Sequence, residues 1–114
     1  MSTEKKIGKI LNVRFGFGGY QGAEFGLFLT FGSKSGGWGV SDSVSTWGPE
    51  VTPPGNAGWT EADRSALYDK TMRKLGDLLV ASKKHEVFQL VGVPVEVEFE
   101  GGRIKSWRVL EEVL

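Results

Sequence analysis

Phe15-Gly-Phe-Gly-Gly-Tyr-Gln-Gly22 (FGFGGYQG) has the composition of a phosphate-gripping glycine loop. Such a loop comes after a strand and opens a helix whose N-terminus receives the phosphate. Here the glycines at 16, 18, 19 and 22 miss the G-x-G-x-x-G spacing, and the residues after Gly22 repeat with a period of two. Residues 24–31 (EFGLFLTF) set Phe25, Leu27, Leu29 and Phe31 on one side. Residues 7–17 (IGKILNVRFGF) set Leu11, Val13, Phe15 and Phe17 likewise. Both patterns are those of half-buried strands. The stretch is therefore expected to be the turn of a β-hairpin, and the chain to begin as antiparallel sheet.

Working towards the C-terminus, Ser33-Lys-Ser-Gly-Gly37 makes another turn into a third strand near 38–46. The segment from Trp47 to Trp59 holds prolines 49, 53 and 54 and glycines 48, 55 and 58, which exclude a helix or a central strand, so it is a long loop. Thr60-Glu-Ala-Asp63 then opens a helix. Thr60 can cap free backbone N–H groups, and Glu61 and Asp63 suit the positive end of the dipole. Leu67, Thr71, Leu75, Leu78 and Ser82, flanked by Tyr68, Met72 and Leu79, form its inward stripe. Lys83, Lys84 and His85 fall in its expected last turn. Gly76 costs about 1 kcal/mol relative to alanine there, which a close approach to the sheet would explain.

Residues 93–100 (VPVEVEFE) alternate again, Gly101-Gly102 is a two-residue turn, and 103–110 (RIKSWRVL) returns as a fifth strand. The expectation is an α+β fold in one domain over residues 1–114. It has a mainly antiparallel, curved sheet of about five strands, β-β-β-α-β-β, with one long helix packed on one face. The same order also belongs to an OB-like barrel, the alternative architecture.

The chain has 114 residues, fourteen basic against fourteen acidic, so its formal net charge is zero. That lacks the basic excess of proteins gripping nucleic-acid backbones non-specifically. Zero cysteines exclude disulfides and thiolate metal sites and fit a reducing compartment. No apolar run is long enough to cross a membrane, and Met-Ser-Thr-Glu-Lys-Lys does not resemble a signal peptide. A cytoplasmic protein is expected, without membrane partner.

Charge is unevenly spread. From Phe15 to Trp59 only Glu24, Lys34, Asp42 and Glu50 are charged, whereas nine of the thirteen aromatic residues lie there. Phe15, Phe17, Phe25 and Phe31 follow the inward alternation and belong to the core. Phe28 points the other way from Leu27 and Leu29, so a loop, the helix, a ligand or another chain must cover it. A cleft between the first turn and the 47–59 loop would be lined by Tyr20, Trp38 and Trp47, with Gln21, Asp42 and Asn56 as polar contacts. Flat rings with a few hydrogen-bonding groups suit a base, a nucleotide or a protein loop.

Catalytic signatures are missing. His85 is the only histidine, which excludes a polyhistidine metal centre, and no serine stands in a recognisable triad. No catalytic residue, metal or cofactor is assigned. Counting out from the Gly101-Gly102 turn pairs Glu100 with Arg103 and Glu98 with Lys105, a charge-matched outer face. The same count puts Glu96 opposite Trp107 outside and Val95 opposite Arg108 inside. A buried arginine needs a partner. So Arg108 lies at the sheet end, or reaches a carboxylate or ligand phosphate, or a bulge shifts the register.

GGYQG, the glycine-spaced WGV of Trp38, WTEADR beginning at Trp59, and the final GGRIKSWRVL resemble small uncharacterised proteins of temperate bacteriophages and prophages. That resemblance implies no activity, but it implies a setting, the host cytosol. Many phage proteins of this size bind and block a host factor or sequester a nucleotide signal. The expected function is thus a non-enzymatic binding protein acting on a host protein or a small nucleotide through its aromatic, weakly charged half. The alternatives are an OB-like binder of single-stranded nucleic acid and a virion structural or assembly protein. A homo-oligomer is compatible with all three.

Overall fold

A computed structural model of the chain describes residues 3–33, 35–49 and 59–114. Among these, five strands and one long helix keep the expected order: β1 (Thr3–Gly18), β2 (Glu24–Gly32), β3 (Gly39–Trp47), α1 (Glu61–Ser82), β4 (Pro94–Glu100) and β5 (Arg103–Val109). The strands form one antiparallel sheet in the order β3-β2-β1-β4-β5, curled into a half-barrel. No helix among the described residues is long and apolar enough to cross a membrane.

The curl originates in β1, which at 16 residues is long enough to serve two neighbours. Its first half pairs with β4, from Thr3 opposite Glu100 to Lys9 opposite Pro94. Its second half pairs with β2, from Lys9 opposite Gly32 to Gly18 opposite Glu24. Between them Ile10 faces Phe31 and Asn12 faces Thr30, leaving Leu11 as an extra residue. A bulge of this kind bends the strand and increases its twist. It also corrects the expected register: Ile10, not Leu11, is the core residue at this point, and Leu11 is exposed. Val13 and Phe15 keep their inward places, while Phe17, near the hairpin end, is 54% exposed.

The core joins Ile10, Leu27, Leu29 and Phe31 to Val93, Val95, Val97 and Val109, with Leu78 and Leu90 over them. Helix α1 lies chiefly on β3 and β2 and reaches β5. Thr60 and Asp63 close a reciprocal capping box, the Thr60 N–H donating to Asp63 Oδ2 at 2.8 Å. Thr71 is buried and donates its hydroxyl to the Leu67 carbonyl at 2.9 Å, with the Val44 carbonyl on β3 at 3.5 Å. Arg64, also buried, donates to the Gly48 carbonyl just past β3.

Three helix expectations are corrected. Met72 is 59% exposed and lies outside the inward stripe. Gly76 is exposed and a Cβ there would meet nothing, so its propensity cost has no packing reason. The helix stops at Ser82, with Lys83 left-handed at φ 59°, so the three basic residues come after the last turn instead of occupying it.

Among the described residues no ladder joins β3 to β5, so the barrel is not closed. Side chains span the gap instead. Trp107 of β5 donates from Nε1 to Asp42 Oδ2 of β3 at 3.0 Å, and Lys74 of α1 sits 4.5 Å from the Trp107 ring centre.

Candidate ligand-binding face

The register places four rows of side chains on the face of β1, β2 and β3 that points away from the core. They are Asn12–Thr30–Ser41, Arg14–Phe28–Ser43, Gly16–Gly26–Ser45 and Gly18–Glu24–Trp47. Each row is out of phase with Val13, Leu27, Leu29 and Val44, so the alternation that builds the core also builds this surface. Its Gly16–Gly26–Ser45 row is small and uncharged, and in the row beside it Phe28 stands as a half-buried ring next to Arg14.

Local contacts hold Phe28 in place. The Arg14 guanidinium lies 5.8 Å from its ring centre and donates from Nη2 to the Phe17 carbonyl at 2.6 Å. A Cβ at Gly18 would stand 3.2 Å from the Phe28 ring and 3.1 Å from Arg14 Nη1, so only glycine leaves both groups undisturbed. Phe28 is thus covered in part from within the chain.

Opposite this pair, Glu24 folds back towards the glycine row. Its Oε1 accepts from the Ser45 hydroxyl at 2.9 Å and its Oε2 from the Tyr20 N–H at 2.9 Å. Gly19 at φ 66° makes that turn available, and a Cβ there would lie 2.6 Å from Glu24 Oε2. Between these groups lies a depression of about 420 Å³ lined by Asn12, Arg14, Gly19, Glu24, Phe28, Thr30, Ser41 and Ser43 with the adjoining Leu29 and Asp42. Arg14 is its single cation among the described residues.

The expected site residues are dispersed by the fold. Phe28 lies in the depression, and Trp47 is in the Glu24 row of the same face. Tyr20 and Gln21 form the exposed tip of the first hairpin, Gln21 left-handed at φ 51°. Asp42 lines the depression, yet it shares a register row with core-facing Leu29 and its carboxylate is engaged by Trp107. Asn56 lies outside the described residues.

Trp38 is elsewhere. It packs edge-on to Phe99 at 5.7 Å and covers Gly8, where a Cβ would come within 2.6 Å of its ring. It precedes Gly39, and Gly39–Trp47 is nine residues of extended strand, whose ends lie about 27 Å apart. A cleft lined jointly by Tyr20, Trp38 and Trp47 is therefore not assembled; Trp38 closes one end of the core.

Arg108 is also corrected. Phe99 faces Ile104 and Glu98 faces Ser106, which leaves Lys105 as an extra residue in β5. The bulge sends Trp107 inward opposite Val97 and Arg108 outward opposite Glu96. There Arg108 donates to both Glu112 oxygens at 2.9 and 3.0 Å, and to Glu96 at 3.2 Å. The expected Glu100–Arg103 pairing holds, but Lys105 pairs with Glu100 and Glu98 accepts from Ser106.

The Arg108 hydrogen bonds hold the Glu112 carboxyl at about 2, below its ordinary 4.5, and Arg108 is raised in turn. A depressed acid stabilises the folded form above its unfolded pKa, and that contribution is lost as pH falls through its folded value. The C-terminal turn Glu111–Val113 should therefore loosen between about pH 4.5 and 2. Carbon-13 NMR titration of Glu112 checks this: Arg108→Ala should move the midpoint up towards 4.5, and an unmoved midpoint would refute the tether.

Sequence patterning missed Arg14, Glu24, Asn12, Thr30, Ser41 and Ser43 as site residues. Their signal was the polar phase of the strand alternation, which carries no chemistry until three strands are brought side by side. Among the described residues no group of three histidine or carboxylate side chains gathers to hold a metal. Comparison with protein-family models, curated proteins and solved structures finds no match to this chain.

Proposed function

We propose that this chain is a non-catalytic binding protein, acting stoichiometrically as small phage-encoded proteins do, which captures a nucleotide-sized planar ligand on the outer face of β1, β2 and β3. One observation carries the proposal: the depression of about 420 Å³ combines an outward aromatic ring, Phe28, with a rim of hydroxyl, amide, guanidinium and carboxylate groups. Its size falls in the range of small-molecule sites, roughly 300–1,000 Å³, and such sites join an apolar platform to a few fixed polar groups. His85, the chain's only histidine, sits in the turn after α1 and takes no part in this face.

Strand order favours a second reading, an OB-like binder of single-stranded nucleic acid. In OB folds the face of the second and third strands receives the oligonucleotide, and here the depression spans β2 and β3. The two readings differ in charge. A strand-tracking groove needs several cations and loses affinity steeply with salt, whereas one arginine suits a single small ligand.

Calorimetric titration with a mononucleotide panel and with oligo-dT at two salt concentrations tests the proposal. Mononucleotides should bind with little salt dependence. Phe28→Ala should weaken them about 5- to 150-fold, the equivalent of losing one stacked base at about 1–3 kcal/mol, while leaving the far-UV CD spectrum unchanged. Equal binding by Phe28→Ala would reject the site. Steeply salt-dependent binding of oligo-dT alone would select the second reading.

A further inference from the structure

We infer, resting on the binding reading above, that the depression recognises guanine among the bases. Arg14 and Glu24 both line it, yet they do not pair with each other among the described residues. Arg14 is oriented by the Phe17 carbonyl and Glu24 by Ser45 and the Tyr20 N–H. Each is thus fixed by a partner within the chain and retains bonding capacity. A carboxylate has about four lone-pair sites, so one bond at each oxygen leaves each able to accept again. A guanidinium has five N–H donors, and one of them is committed.

The depression therefore offers one cationic donor group and two adjacent carboxylate acceptors beside an aromatic platform. Guanine presents the complement along one edge: the O6 acceptor, then the N1–H and N2–H donors. Adenine places the N1 acceptor where the carboxylate needs a donor. Cytosine has one amino donor beside an acceptor nitrogen. Uracil has a single N–H flanked by two carbonyls. Opposing an acceptor to a carboxylate leaves a charged group desolvated without a partner, which costs more than losing a hydrogen bond. Phe28 supplies stacking to every base alike, so the Glu24 carboxylate makes the choice.

Glu24 is held in this position by its Ser45 and Tyr20 contacts and by the turn at Gly19. At position 19 glycine is needed, since a side chain there would collide with the carboxylate.

Calorimetric titration of the intact protein with GMP, IMP, AMP and UMP tests the assignment. GMP should bind most tightly. IMP, which lacks only the 2-amino donor, should bind about 10-fold more weakly, and AMP more weakly still. Glu24→Gln should bring GMP to within about threefold of AMP. AMP or UMP matching GMP in the unaltered protein would overturn the assignment without any variant having to fold. Phe28-dependent binding of all four nucleotides alike would overturn it too, while leaving the binding reading in place. Failure of all four to bind would remove that reading as well.

Discussion

Phe31→Ala should lower the stability of the protein by about 3–5 kcal/mol, the usual cost of removing a buried phenylalanine. Phe31 is fully buried and faces Ile10 across the β1–β2 ladder, next to the Leu11 bulge. Its ring centre lies 4.5 Å from that of Trp107, which comes from the far edge of the sheet. One side chain thus joins the β2–β3 half of the sheet to the β4–β5 half at the bend of β1. Deleting it opens a cavity there and removes the platform of the Trp107 ring, whose N–H reaches Asp42. Against a total of about 5–15 kcal/mol, that loss is a large fraction of what holds the fold. Urea denaturation measures it, with Phe31→Leu as the milder comparison. A loss below about 1 kcal/mol for the alanine variant would show that the two halves are joined elsewhere.

Gly26→Ala and Gly16→Ala should have opposite effects although the two glycines face each other across β1 and β2. A methyl group at Gly26 would stand 2.6 Å from Ser45 Cα and be driven into the Val44 carbonyl. Both are backbone atoms of the neighbouring strand and cannot swing aside. The alanine must therefore push β3 away from β2, at a cost at the upper end of overpacking, about 3 kcal/mol. At Gly16 nothing lies within 4 Å of the added methyl. Alanine there should be neutral or stabilise by up to about 1 kcal/mol, because it restricts the unfolded chain. Thermal unfolding of the two variants side by side provides the comparison. Equal destabilisation would mean that β2 and β3 do not approach closely at this row.

Much of the fold was legible because it rests on local patterns. The alternation in 24–31 and 93–100 identifies β2 and β4 without reference to any other part of the chain, and Thr60 with Asp63 marks the start of α1. Those signals also exclude a glycine loop feeding a helix at 15–22, since the period after it is two. The order β-β-β-α-β-β came from these elements alone. The polar surface of β1, β2 and β3 was implicit as the other phase of the same alternation.

A bulge was one of the explanations open for Arg108, but placing bulges was beyond that kind of inference. An extra residue at Leu11 or Lys105 leaves the composition of the strand unchanged and alters only which neighbour each residue faces, so counting from a turn carried Arg108 to the wrong side of the sheet. Which aromatic residues share a surface was equally non-local: Trp38 and Trp47 bracket the same strand, and its length sends them to opposite ends. Arg14, Glu24 and Phe28 converge on one depression only through the pairing of β1 with β2 and the glycine turn that folds Glu24 back. Sequence by itself determined the elements and their order, because these depend on period and on capping. Tertiary structure alone decided register, face and the company each polar side chain keeps, because those depend on pairing between strands far apart in the chain.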